Sequence, residues 1–263
     1  MSDSVPSDTS QPASGNARFN NEAAKWDANP LVHILSAEAW KALQKNIPAL
    51  QDPAGKRLDV LEIGCGTGLL TFLVAPSVRE IVAVDAAEGM IRALESKVAA
   101  SGSTNIVPLA ILLEDPEDER LPPASQNGKN DSPRRKFDLI ISHLVLHHIP
   151  DLKAVLTTMF GCLKPGGTIA LTDFEDFGPE AKRFHPESKM EGVERHGINA
   201  RWIGELIAEV GFQDIRVEVA WEHEKRVERW PGEFVGGRPE GEGQGEVMRF
   251  SYLICMGRRP GGG

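Results

Sequence analysis

Val60-Leu61-Glu62-Ile63-Gly64-Cys65-Gly66-Thr67-Gly68 is an apolar strand that runs directly into three alternating glycines. A second apolar run, Ile81-Val82-Ala83-Val84-Asp85, follows it and ends in an acid. A tight strand-to-helix turn needs positive φ or close backbone approach, and glycine permits both. The helix after the turn aims its free N–H groups and its dipole at a ligand, which favours an anionic group there. An acid at the end of the second strand can accept both hydroxyls of a ribose. The pattern therefore points to an α/β domain that holds a ribose-bearing cofactor. A dinucleotide site carries G-x-G-x-x-G/A, with a small third residue for close helix packing. Here that position is Leu69 and the third glycine arrives one residue early, so the loop reads G-x-G-x-G. No G-x-x-x-x-G-K-[ST] occurs anywhere, which excludes a P-loop.

Outward from this loop, strands alternate with helices. Leu58–Ile63, Glu80–Val84, Asn105–Leu113, Phe137–Ser142, Thr168–Phe174, Gln213–Trp221 and Val247–Met256 read as strands. Thr67–Ala75 and Ala87–Ala100 read as helices. Asp151 and Asn199 can cap two more, and Gly102 and Gly211 mark C-termini. Such alternation implies a doubly wound, mostly parallel sheet with helices on both faces. Residues 1–17 are Ser, Asp and Pro rich and are expected as a disordered tail. Residues 18–54 form a helical N-terminal segment, broken near Pro30, with Trp26, Leu31, Ile34, Leu35 and Trp40 on its apolar face. It either covers the cofactor pocket or packs against the sheet edge. The main domain is expected over 55–259. It is interrupted by a disordered insertion near 122–136 and a flexible Gly- and Glu-rich hairpin loop near 231–246.

A chain of 263 residues has room for a large core. Its net charge of −9 argues against a broad electrostatic grip on nucleic acid. Cys65, Cys162 and Cys255 form no zinc-type spacing, and a sparse odd count suits a reducing compartment. No stretch is long and apolar enough for a membrane span, and the N-terminus lacks the basic and apolar regions of a secretory signal. The expected location is the cytoplasm, with the nucleus as a second compartment.

Leu61–Gly68 resembles motif I of the class I S-adenosylmethionine (SAM)-dependent methyltransferases. Further segments fit the family in order. Val82–Asp85 followed by Gly89-Met90-Ile91 resembles the ribose acid and adenine-flanking residues. Phe137–Ser142 resembles the fourth strand, His143-Leu144-Val145-Leu146-His147-His148-Ile149 the "ALHH" stretch of the small-molecule, UbiE-like enzymes, and Leu163-Lys164-Pro165-Gly166-Gly167 the turn before strand five. The resemblance implies a Rossmann-like seven-stranded sheet in the order 3-2-1-4-5-7-6, with one antiparallel strand, and SAM as cofactor. The implied cofactor residues are Glu62, Gly64, Cys65, Gly66, Thr67, Gly68, Asp85, Ala86, Met90, Leu113, Glu114, Ser142 and His143. Many relatives carry an Asp at the end of strand three; here Ala110-Ile111-Leu112-Leu113-Glu114-Asp115 leaves the matching acid open.

SAM is an activated methyl donor, so catalysis is mainly alignment of a nucleophile. A base is needed only where the acceptor must lose a proton. His143, His147, His148, His185 and His196 are the candidates; His143, directly after strand four, and His196, in the segment after strand five, are the expected catalytic pair. His143 and His147 are spaced i, i+4 with Asp151 beyond, but Pro150 ends the run and no third ligand stands in register, so no metal is expected. The sequence also lacks an Asn/Asp-Pro-Pro-aromatic tetrapeptide after strand four, against an adenine-N6 or glutamine-amide methyltransferase. The expectation is methyl transfer to O, N or C of a small-molecule acceptor. A protein methyltransferase and a non-catalytic SAM-fold interaction or regulatory protein are the alternatives.

Overall fold

The computed structural model describes residues 14–52, 57–124, 133–241 and 243–262, with side chains from Arg18 onward. Of the expected disordered segments, residues 1–13 and 125–132 lie outside those described. Two helices come first, α1 (Ser14–Trp26) and α2 (Pro30–Asn46). There follow β1 (Asp59–Ile63), α3 (Leu69–Val74), β2 (Glu80–Asp85), α4 (Glu88–Ser101), β3 (Ile106–Ala110) and β4 (Phe137–His143). The chain ends with α5 (Leu152–Cys162), β5 (Leu163–Phe174), α6 (Ala200–Val210), β6 (Gln213–Val227) and β7 (Glu246–Arg258).

The strands form one seven-stranded sheet in the order β3-β2-β1-β4-β5-β7-β6, as the resemblance implied. β1 to β5 pair in parallel, and β7 runs antiparallel to both β5 and β6. β1 is buried at every position and β4 at five of its seven, which is why they read as continuous apolar runs rather than alternations. The period of two then sends neighbours to opposite cores. Leu61, Ile63 and Ile140 pack with Leu156 and Ile207 on one face; Val60, Leu139 and Ile141 pack with Leu43 and Leu94 on the other.

The two expected caps, Asp151 and Asn199, are present, and Asn29 adds a third. Asn29 accepts from the Leu31 N–H ahead of Pro30, Asp151 from Ala154 at 2.9 Å, and Asn199 from Trp202 at 3.0 Å. Gly102 and Gly211 close α4 and α6 in the left-handed conformation. Several boundaries differ from expectation; β5, for one, begins at Leu163, in the stretch expected as the turn before it. α1 begins at Ser14, inside the stretch expected as tail. β3 stops at Ala110, and the chain then leaves the sheet through Ile111 and Leu113, both buried. The β6–β7 hairpin is longer at both ends. Within the stretch expected to be flexible, Phe234 is buried and the Glu233 carboxylate takes the Arg229 guanidinium at 2.9 Å.

Register places the carboxyl ends of β1 and β2 side by side, with Ile63 opposite Val84, and the β4 and β5 ends next to them, with His143 opposite Thr172. The parallel strands all open toward this edge, which is where doubly wound sheets hold ligands. The sheet must stay flat against α5 for that edge to keep its shape. Leu156, fully buried on α5, is central to the contact. Leu156→Ala should lower stability by about 2–5 kcal/mol, through lost burial and a residual cavity; denaturant melts would read this as a lower midpoint.

Candidate active site

The glycine loop is built by backbone hydrogen bonds to the end of β2. Gly64 and Cys65 both donate to the Val84 carbonyl, at 2.8 and 3.0 Å. Gly66 then donates to Asp85 Oδ2 at 2.8 Å, while Asp85 Oδ1 accepts from the Ala87 N–H at 2.8 Å. Positive φ recurs at Gly64 (72°), Gly66 (54°) and Gly68 (86°). The three differ in what faces them. A Cβ on Gly64 would lie 2.4 Å from Val145, and one on Gly68 2.4 Å from Leu94, so these two are required by packing. A Cβ on Gly66 would meet nothing within 4 Å. Gly66 therefore borders open space, the surface a cofactor would cover.

That space is a cavity of about 1890 Å³. Single-ligand pockets run to about 300–1,000 Å³, so this one has room for a cofactor and an acceptor together. Glu62, Gly64, Cys65, Gly66, Thr67, Asp85, Ala86, Met90, Leu113, Glu114 and His143 all line it. Two expected residues do not. Gly68 caps α3 beneath Leu94, and the Ser142 hydroxyl is buried, donating to the Ile63 carbonyl at 2.7 Å. Both shape the loop from behind.

Two acids at the loop are held in low-dielectric surroundings. Glu62 is buried and accepts from the Thr71 hydroxyl at 2.6 Å; burial, reinforced by the Asp85 charge, pushes its carboxyl up to about 8. Burial also raises Asp85, against the pull of the Ala87 and Gly66 N–H bonds. Cys65 is held well above the usual thiol range by burial and these two acids, so it is no nucleophile.

α1 lies across the mouth. Asn20 accepts from the Gly89 N–H at 2.6 Å, and Phe19, Ala23 and Trp26 pack with Ala87 and Met90. Asp27 accepts from the Thr67 hydroxyl at 2.5 Å and from Lys97 at 2.6 Å. Arg18 reaches the Lys189 and Glu191 carbonyls at 2.8 and 2.7 Å, and Lys189 pairs with Glu22. The helix and the segment after β5 thus join above the cavity.

The far end of the cavity is a chamber of histidines and aromatic rings. His143 bonds the Thr172 hydroxyl through Nδ1 at 2.9 Å, and burial drops its pKa to about 4. His147 is buried, with Nδ1 on Asp173 at 2.8 and 3.0 Å. His148 donates from Nδ1 to the Gly192 carbonyl at 2.6 Å; burial, with a smaller contribution from the neighbouring His147, lowers its pKa to about 3. Burial puts His185 well below the usual range. Phe174 and Phe184 stack at 3.9 Å beside them.

His196, expected as catalytic, is exposed and does not line the cavity. Its neighbour Arg195 turns inward instead, donating to the Leu146, Ile149 and Pro150 carbonyls. Sequence reasoning missed Asp173, Arg18 and Asp27. Only Asp173 had a usable signal, an acid near the end of an apolar strand, as at Glu62.

Residues 61–169 match the family described as a methyltransferase domain. An uncharacterised methyltransferase of Mycobacterium tuberculosis is 31% identical over 44% of this chain and 50% of its own length. Phosphoethanolamine N-methyltransferase 1 of Arabidopsis thaliana is 29% identical over 60% of this chain and 29% of its own. The chain therefore spans half or less of the length of these relatives. In structure, the YcgJ protein of Bacillus subtilis superposes with a TM-score of 0.60 at 16% identity, over 84% of this chain and 99% of that one. Over residues 61–169 the chain is similar to the methyltransferase-domain family, and its seven-stranded sheet, in the order β3-β2-β1-β4-β5-β7-β6, has the Rossmann-like fold found in solved methyltransferases.

Proposed function

We propose that this protein transfers a methyl group from SAM to O, N or C of a small-molecule acceptor. The observation that carries the reading is the continuity of one cavity from the Gly66–Asp85 corner to the histidine chamber. Bound SAM would supply a sulfonium-activated methyl group. The chain's part is then to bind, align and exclude water. Asp85, oriented by the Gly66 and Ala87 N–H groups, has lone pairs left for the ribose hydroxyls. Glu62, kept neutral by burial, lies beside the loop, where a cationic amino group would draw its proton off. Met90 and Leu113 offer apolar surface to the adenine.

The roof over the cavity favours a small acceptor. A protein substrate needs an open groove, whereas α1 and the segment after β5 are tied by Arg18 and Glu22. The Arabidopsis relative is named for phosphoethanolamine and a Priestia megaterium relative for malonyl-acyl-carrier protein; both names fit transfer to a small reacting group. Aromatic walls and buried neutral histidines exclude water, and positioning at close range can supply about 7–11 kcal/mol of the barrier reduction.

Two outcomes test this. Calorimetric titration should show binding of SAM and S-adenosylhomocysteine and none of NADH. Asp85→Ala should weaken both by about 10- to 100-fold, the worth of charge-assisted hydrogen bonds; equal affinity in the variant would remove Asp85 from the site. The second concerns Glu62 in the ligand-free protein. Its folded pKa of about 8 stands above the ordinary 4.5 of the unfolded chain. Between those values the unfolded state has released a proton that the folded state keeps, so stability falls as pH rises through this window and levels off above it. Glu62→Gln should melt higher than the parent at pH 8, by several degrees, and converge with it toward pH 4.5; parallel melting curves across the range would refute the assignment.

A further inference from the structure

His147, His148 and His185 converge at the acceptor end of the cavity. One ring nitrogen of each lies within 4.8 Å of those of the other two. His147 Nδ1 is taken by Asp173, and its Nε2 is buried with no hydrogen-bond partner among the described residues, on a residue only 2% exposed. His148 Nδ1 donates to the Gly192 carbonyl, which leaves its Nε2 as a lone-pair donor. His185 Nδ1 is likewise buried with no partner. Buried polar nitrogens normally find a partner, because leaving one unpaired costs about 1–3 kcal/mol. Two such atoms in one cluster need an explanation.

We propose that these three histidines bind a divalent transition metal, with zinc as the reference ion. Histidine ligands characteristically donate their other ring N–H to a carboxylate or a backbone carbonyl, which fixes the tautomer and the ring plane. Asp173 does this for His147 and the Gly192 carbonyl for His148. Zinc takes three histidines plus an open position in catalytic sites. With Zn–N of about 2.0–2.1 Å, tetrahedral nitrogens stand about 3.4 Å apart. The nitrogens stand within 4.8 Å of one another, so closing on an ion draws them together by up to about 1.4 Å. Phe174 and Phe184 pack edge-on against His147 and His185, an apolar collar that keeps the position dry. Asp173 supplies negative charge behind the cluster, and the nearby Arg18 is balanced by Glu22 at 3.2 Å.

The expectation of no metal rested on a search in register, His143 with His147 and Asp151. The third ligand instead comes from the segment after β5, and the second is the immediate neighbour of the first. The fourth position faces the cavity, where it would receive a donor atom of the acceptor. That last step rests on the methyltransferase reading; the metal site does not.

The test uses the metal alone. The full-length protein, stripped with chelator and dialysed, is titrated with Co²⁺ and then Zn²⁺ and followed by visible absorption. Expected are the intense visible bands of tetrahedral Co²⁺ at one equivalent, displaced by Zn²⁺. In His148→Ala and His185→Ala the bands should vanish, and Asp173→Asn should weaken binding by about 10- to 100-fold. His33→Ala, on the exposed surface of α2, should behave as the parent. Circular dichroism and SAM titration of each variant separate loss of the site from loss of the fold or of the cofactor site. No bands in the folded parent, or equal metal uptake in parent and both histidine variants, would overturn the proposal.

Discussion

The Val84 carbonyl accepts from two successive N–H groups, Gly64 and Cys65, and everything at the ligand edge follows from that. A parallel strand that ends in the sheet has N–H groups with nowhere to go unless the chain curls. Folding both onto Val84 turns the chain back over β2 and delivers the next N–H, that of Gly66, to the Asp85 carboxylate. The curl demands positive φ at alternate residues, and only glycine meets that without strain. The loop, the orientation of Asp85 and the open space above Gly66 are thus one geometric solution. A side chain at Gly64 would break it twice, by conformation and by collision with Val145.

How much of this was legible depends on the distance in sequence over which each feature is decided. The strands, the caps and the glycine loop are set by neighbouring residues and by a period of two, and the sequence reading located them closely. Asp85 was legible because an acid at the end of an apolar run is locally anomalous. Side-chain direction at a loop was not. Ser142 and His196 were chosen for position along the chain, but Ser142 turns back to bond Ile63 and His196 points to solvent because Arg195 takes the inward path. Roof and chamber lie beyond local rules altogether. Asp27 meets Thr67 across 40 positions, and Arg18 meets the Glu191 carbonyl across 173. The His147 and His185 rings stand 5.1 Å apart although the packing of β5, Phe174 and Phe184 is what joins them.

The cavity is polarised along its length. At the loop end two acids sit where burial raises their pKa, so a ligand carrying positive charge relieves an unfavourable state as it binds. At the far end burial holds His143 and His148 neutral, and the aromatic collar keeps water from competing with whatever occupies the chamber. One end of the cavity presents raised-pKa carboxyl groups to a cationic ligand, and the other presents neutral imidazole nitrogens.

The cavity is partly open, and α1 and the segment after β5 narrow its mouth where they meet. The ties between them are of two kinds. Arg18, Glu22 and Lys189 form partly exposed ion pairs, worth about 0–1 kcal/mol each after solvent screening. Beneath them, Phe19, Ala23 and Trp26 bury apolar surface on Ala87 and Met90. The first kind gives way cheaply. The second depends on Met90, which packs under the helix and also lines the cavity. The seating of α1 and the lining of the cavity therefore share one side chain, so a change at Met90 acts on both at once.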